Sequence, residues 1–146
     1  MKKIFFIALA TLLFASCATV KTEGSKVKFQ TVQNYFIKND LKISVPNKIT
    51  TKEEFEKYFG TATTQWYGKP TKINFEKEFV IVVALPETDE QTTMKPVKVF
   101  QSKNNLEFSY TIEKGEKLTY KILPFVMVKV DKKYDMPLTL IQTEVK

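Results

Sequence analysis

The sequence predicts a mainly β fold of the α+β class, an antiparallel sandwich or small open barrel of about six or seven strands with one short helix. Three observations carry this. Leu106, Phe108, Tyr110 and Ile112 alternate with Glu107, Ser109 and Thr111, the period-two pattern of a half-buried strand. Phe79 to Leu85 (FVIVVAL) is a short β-branched run closed by Pro86, which suits a strand buried on both faces. Only one stretch, beginning at Thr51, carries helix signals.

At the N-terminus, Met1-Lys2-Lys3 is a basic head and Ile4 to Ala15 an apolar run, followed by Ser16 and Cys17. That order is the pattern of a secretory signal. As a helix, Ile4 to Ala15 would span about 18 Å, too short for roughly 30 Å of hydrocarbon. The Phe14-Ala15-Ser16-Cys17 ending resembles the lipobox of bacterial lipoproteins. The resemblance implies cleavage before Cys17, a diacylglyceryl group on its sulfur, and residues 1–16 as the signal peptide. Cys17 is the only cysteine, so no disulfide can use it. Residues 17–27 read as the lipidated cysteine and a flexible tether, and 28–146 as one globular domain.

Lys28 to Phe36 is rich in β-branched and aromatic residues and reads as extended. Ile43 and Val45 end a second short extended piece at Pro46. Thr51 and Glu54 form a capping box ahead of a helix over about Lys52 to Phe59, with Phe55 and Phe59 on one face and Gly60 as its stop. Gly60 to Pro70 reads as a loop carrying Trp66 and Tyr67. After the Phe79 run, Glu87-Thr88-Asp89-Glu90 reads as an acidic loop, and Val97 and Val99 open a further strand. Asn104-Asn105 and Lys114-Gly115 read as turns, so Leu106 to Ile122 becomes a hairpin or meander. Phe125 to Val130 is another strand, and Leu138, Leu140 and Ile141 supply a last one.

Composition excludes more than it selects. The chain has 146 residues, no histidine and a formal charge of +7. Loss of Lys2 and Lys3 with the signal leaves 7 − 2 = +5. Without histidine, the usual base of Ser and Cys hydrolases and the commonest zinc ligand are missing. No glycine-rich phosphate loop is present. All basic residues are lysines, which removes the bidentate recognition that arginine gives to bases and phosphates. The expectation is a non-enzymatic domain with no cofactor, no metal and no nucleic-acid partner.

The candidate partner-binding residues are Trp66 and Tyr67, as aromatic anchors in a loop, and Glu87, Asp89 and Glu90, as an acidic rim for a basic partner. Calcium ligation by the acidic residues lacks the spacing and glycine of an EF-hand loop.

Asn74-Phe75-Glu76-Lys77, running into Glu78-Phe79-Val80-Ile81-Val82-Val83, and Pro124 to Val130 (PFVMVKV) resemble the C-terminal domain of PrcB-type lipoproteins. These are exported proteins that stabilise a partner protease complex. The likeness covers about Tyr58 to Val130, mostly strand residues, and implies no catalytic residues. It departs at Pro86 to Thr93, where the family carries a glycine-rich turn and this chain has no glycine. The resemblance implies a lipid-anchored envelope module that docks or stabilises an exported protein, a protease among the candidates. The alternative is an assembly lipoprotein that binds lipid, glycan or an outer-membrane protein. Ala18 in place of an aspartate after the cysteine implies, by the same lipoprotein resemblance, outer-membrane sorting.

Overall fold

The structure, a computed structural model, describes residues 24–39, 44–62 and 68–145. In chain order the strands are β1 (Gly24–Val27), β2 (Phe29–Thr31), β3 (Tyr35–Ile37) and β4 (Lys48–Ile49). Helix α1 (Lys52–Tyr58) and β5 (Phe59–Thr61) follow. The second half holds β6 (Glu78–Ala84), β7 (Thr88–Ser102), β8 (Asn105–Ile122), β9 (Phe125–Asp131) and β10 (Leu138–Thr143), with a single 3-10 turn at Lys132–Tyr134.

Two four-stranded sheets stack face to face. One has the order β1-β7-β8-β10 and the other β2-β9-β6-β4. A small β3–β5 pair and α1 cover the outer face of the second sheet. The fold is therefore a mainly β sandwich with one helix, and the sheets do not close into a barrel.

The centre is β6, whose alternation feeds two cores. Phe79, Ile81 and Val83 point into the inter-sheet core with Val99, Leu106, Phe108, Val126, Val128 and Val130. Val80 and Val82 point the other way, onto Ile49, Phe55, Phe59 and Met127. The continuous apolar run is thus explained by burial on both faces.

One long hairpin organises both sheets. β6 pairs antiparallel with β9, from Glu78 opposite Asp131 to Ala84 opposite Phe125. The Leu85 amide carries the pairing on by donating to the Pro124 carbonyl at 2.8 Å. β7 and β8 then continue it from Thr88 opposite Ile122 to Ser102 opposite Asn105. The ribbon doubles over at Leu85–Thr93 and Glu113–Pro124, so its halves lie in different sheets. Pro86 and Pro124 break the ladder there, and Leu118 to Lys121 bulge opposite Asp89 alone.

This geometry corrects several expectations. Lys114-Gly115 is no hairpin turn, because β8 continues through it as one strand. Gly115 sits in the strand, where an added Cβ would stand 2.9 Å from Gln91 Oε1. Leu106 to Ile122 is therefore one strand rather than a hairpin, and Tyr120 lies on the crest of the bend, 63 % exposed. Of Glu87-Thr88-Asp89-Glu90, read as a loop, Thr88 to Glu90 lie in β7 and only Glu87 stays in the connection before it. Residues Gly24 to Lys26, expected in the tether, form β1 on the edge of β7, and Val27 is buried. Gly60 does not end the helix in a left-handed turn. Phe59 is already extended, at φ −118°, and Gly60 lies within β5. The short strands β1, β4 and β5 raise the number above six or seven. The last strand pairs parallel to β8, not antiparallel, because Lys132–Pro137 crosses the end of the sandwich before β10 sets off in β8's direction.

The capping expectation for α1 holds at Thr51, whose hydroxyl accepts the Glu54 amide at 3.2 Å. Seven residues are too few for independent stability. Phe55 secures the helix by stacking on Phe59 at 4.9 Å and meeting Tyr35 and Phe75 at 5.1 and 5.6 Å.

Candidate functional site

Cys17, Trp66 and Tyr67 lie outside the described residues, as do the whole of 1–16 and Ile43. What surrounds the Trp66-Tyr67 segment is described. The chain leaves at Ala62 and returns at Gly68, and both stems converge on Asn34. The Asn34 carbonyl accepts the Ala62 amide at 2.9 Å. Its side-chain amide donates to the Lys69 carbonyl at 3.0 Å. Asn34 takes φ 65°, a left-handed conformation that asparagine tolerates better than most residues. Gly68 sits at φ 82°, where a side chain would be strained.

The neighbouring residues tighten the return stem. The Gln33 amide donates to Thr71 Oγ1 at 3.0 Å, and the Thr71 amide donates to the Gln33 carbonyl at 3.1 Å. The Tyr35 hydroxyl donates to the Thr71 carbonyl at 2.9 Å. Burial pushes the Tyr35 pKa above its ordinary value by disfavouring the phenolate. Beside these stems stands Phe36, 48 % exposed, across from Gly60. Sequence reasoning missed Asn34 and Phe36 as a platform. The signal available was Gln33-Asn34, a turn-forming pair set between two extended stretches.

The acidic residues have partners within the chain. Glu87 pairs with Lys121 at 3.0 Å, Asp89 with Lys117 at 3.2 Å and Glu90 with Lys114 at 2.8 Å. Lys95 and Glu113 extend the series at 2.9 Å. Each pair joins β8 to β7 or to the residues leading into it across the crest. The Lys121 pKa is raised, first by its hydrogen bond to Glu87 and then by the charges of Glu87 and Asp89. Exposed pairs of this kind contribute little stability each. They do cancel the negative field that an acidic rim would offer a basic partner.

The motif Asn74-Phe75-Glu76-Lys77 has a structural account. Asn74 Oδ1 accepts the Glu76 amide at 3.0 Å, and the Asn74 carbonyl accepts the Lys77 and Glu78 amides at 2.9 and 2.7 Å. Phe75 reaches the aromatic cluster around Phe55. Lys129, from β9, is largely buried; it bonds the Lys72 carbonyl at 2.9 Å and pairs with Glu78 at 3.0 Å. Lys132 donates to the Phe75 carbonyl at 2.8 Å. These two lysines pin Lys72–Glu78 and line an open cleft of about 870 Å³ beside Lys52, Lys72 and Lys77. Lys52 pairs with Glu56, and Glu53, Glu76 and Glu78 line the same cleft, so its charge is mixed.

Among the described residues no group of three or more His, Cys, Asp or Glu side chains could hold a metal ion. No described helix is long and apolar enough to cross a membrane. No family model, no curated protein and no solved structure matches this chain.

Proposed function

We propose that this chain is a lipid-anchored, non-enzymatic binding module of the bacterial cell envelope that docks or stabilises an exported protein. The observation that carries this reading is the platform built by Asn34, which holds both stems of the Trp66-Tyr67 segment beside the exposed Phe36 ring. Aromatic side chains have few rotatable bonds to immobilise, so more of their buried area appears as affinity. The paired acidic crest is not part of the recognition surface in this reading. Attachment is through Cys17, seven positions before β1 begins at Gly24. The partner of this module is a polypeptide, with a protease as one candidate.

The test of anchoring is Cys17→Ser. Two or more acyl chains hold a protein stably at a bilayer, whereas none remain in the variant. The expected outcome is release to the soluble fraction or arrest of processing. Normal membrane fractionation and detergent partitioning of the variant would refute the lipid anchor. Cross-linking of the lipidated protein in its own membranes then tests the docking half of the proposal.

A further inference from the structure

We infer that the open edge of β10 is a second docking element, which takes an extended segment of a partner polypeptide as an added strand. The inference rests on the reading that the partner is a polypeptide, but it does not involve the Trp66-Tyr67 segment.

Sheet edges present unpaired backbone donors and acceptors, and most folds blunt them. Here almost every described edge is blunted. β4 is two residues long and β2 is three. β1 carries Gly24 and Lys26. The stretch of β7 beyond β1 carries Lys95, Pro96 and Lys98 with register shifts. The stretch of β8 beyond β10 is dense in charge and includes Gly115. β10 is the exception. Its six residues, Leu-Thr-Leu-Ile-Gln-Thr, include no charge, no proline and no glycine. None is fully buried, and β10 lies at the end of its sheet. An edge of this composition is a template for strand addition.

The edge is also held in place. Asn105 and Thr139 exchange side-chain hydrogen bonds at 3.0 and 3.2 Å, and Thr143 Oγ1 donates to the Tyr110 carbonyl at 3.2 Å. An incoming strand therefore need not order β10 itself. Leu138 and Leu140 pack half-buried on the inter-sheet core, with Tyr134 and Met136 at the same rim. Thr139, Ile141 and Thr143 alternate onto the opposite face. The segment that fits is extended and uncharged, with apolar residues at alternate positions to cover the rim. Backbone bonds supply affinity in such a mode, and alternate side chains supply selectivity.

A second copy of this chain fits less well. A two-fold pairing of identical edges is antiparallel and sets residues of like face opposite each other. Centred on Leu140 or Ile141, it puts Gln142 against Leu138 or Leu140. Centred on Thr139, it draws Pro137 into the ladder, where it has no amide to give. The leash adds a further obstacle. β10 runs parallel to β8 from the end where Gly24 pairs with Ser102. A two-fold joint would send the two Gly24 ends in opposite directions along the strands. The seven steps from Cys17 to Gly24 span at most about 25 Å.

The experiment is amide hydrogen exchange on the lipidated full chain in detergent, with and without a synthetic peptide. The peptide is acetyl-Lys-Val-Thr-Val-Thr-Val-Thr-Lys-amide; a control replaces its valines by glutamate. With peptide at about ten times its dissociation constant, exchange at the bound edge should slow by about tenfold. The slowing is expected in β10 and absent with the glutamate control. It should be lost in the Gln142→Lys variant, whose position is exposed and takes no part in the side-chain bonds that hold β10. Thr119→Lys, on the exposed crest, should leave it intact. No slowing at saturating peptide, or equal slowing in β1 and β10, overturns the inference. So does concentration-dependent protection of β10 without peptide together with a dimer mass, which would assign the edge to a second copy. Trp66→Ala should not change the readout, so failure of the docking platform and failure of this edge are separable.

Discussion

The Phe36 ring occupies the space that a Gly60 side chain would fill. The two residues are partners across β3 and β5, and a Cβ built on Gly60 would lie 2.5 Å from the Phe36 Cζ. Glycine normally weakens a strand because it has nothing to pack. Here the aromatic partner covers the bare backbone, as in aromatic rescue of glycine.

That relationship sets the first expected outcome. Gly60→Ala should push the Phe36 ring toward solvent, since the ring is half exposed. Cross-strand pairs contribute about 0.2–1 kcal/mol, so the loss should fall in that range. Phe36→Ala should cost a similar amount. The double variant should lose less than the sum, because both changes remove one contact. Strict additivity in denaturant melts would show that the ring and the glycine act independently.

Ile81 probes the centre of the sandwich. It is fully buried at the inter-sheet face of β6. Ile81→Asp places an unpaired carboxylate there and should prevent folding at room temperature. Ile81→Val should lower stability by about 0.5–1.5 kcal/mol, the ordinary result of losing one buried methylene. A melting temperature unchanged by the aspartate would contradict burial of this strand.

Tyr35 gives a pH dependence at the alkaline end. Its pKa is raised in the folded state, so the folded chain holds the phenol proton where the unfolded chain has lost it. Stability from this group is complete below the unfolded value, about 10, and declines as pH rises through the folded value. Tyr35→Phe should remove this part of the alkaline decline. It also deletes the hydrogen bond to Thr71, which contributes about 1 kcal/mol at neutral pH. Parallel melting curves from pH 8 to 11 for the two proteins, with no convergence, would assign the alkaline loss elsewhere.

Trp66 separates docking from packing. Trp66→Ala should weaken partner capture by more than about 1 kcal/mol while leaving the melting curve nearly intact. Asn34→Ala should weaken capture as well, since it deletes the side-chain bond to the Lys69 carbonyl and strains the left-handed backbone at this position, although Asn34 need not touch the partner. Loss of several kcal/mol of stability from Trp66→Ala, with capture by the folded fraction unchanged, would place the tryptophan in the core.

The regular parts of this fold were legible because burial writes itself into period. Phe79 to Leu85 read as doubly buried, and β6 is buried on both faces. Thr51 and Phe55 announced a helix that forms as expected. The turn at Lys114-Gly115 was misread because glycine and charge are local signals, and here tertiary pairing with Gln91 and Thr92 overrides them. The acidic residues looked like a loop because their partners, Lys114, Lys117 and Lys121, lie more than twenty positions away in sequence. The parallel docking of β10 left no local trace, since strand direction is decided by the crossover that precedes it. Asn34's role as a clamp depends on Ala62 and Lys69, neither of which is remarkable by itself.

The doubled hairpin also favours one order of assembly on loop-closure grounds. Its only tight turn is at Lys103-Asn104, so the least entropy is lost by closing there first. Each further pair along β7 and β8 then closes only a small additional loop, as a zipper does. Phe79 and Val130 face each other at the far end, and their meeting waits until the zipper has passed the crest. Proteins dominated by distant pairings fold slowly, and this route replaces distant encounters with a succession of near ones. The strands from outside the hairpin, β1 and β10, have a template only after β7 and β8 exist. The chain would therefore begin folding from its middle, and β10, near its end, would be among the last strands to take its place.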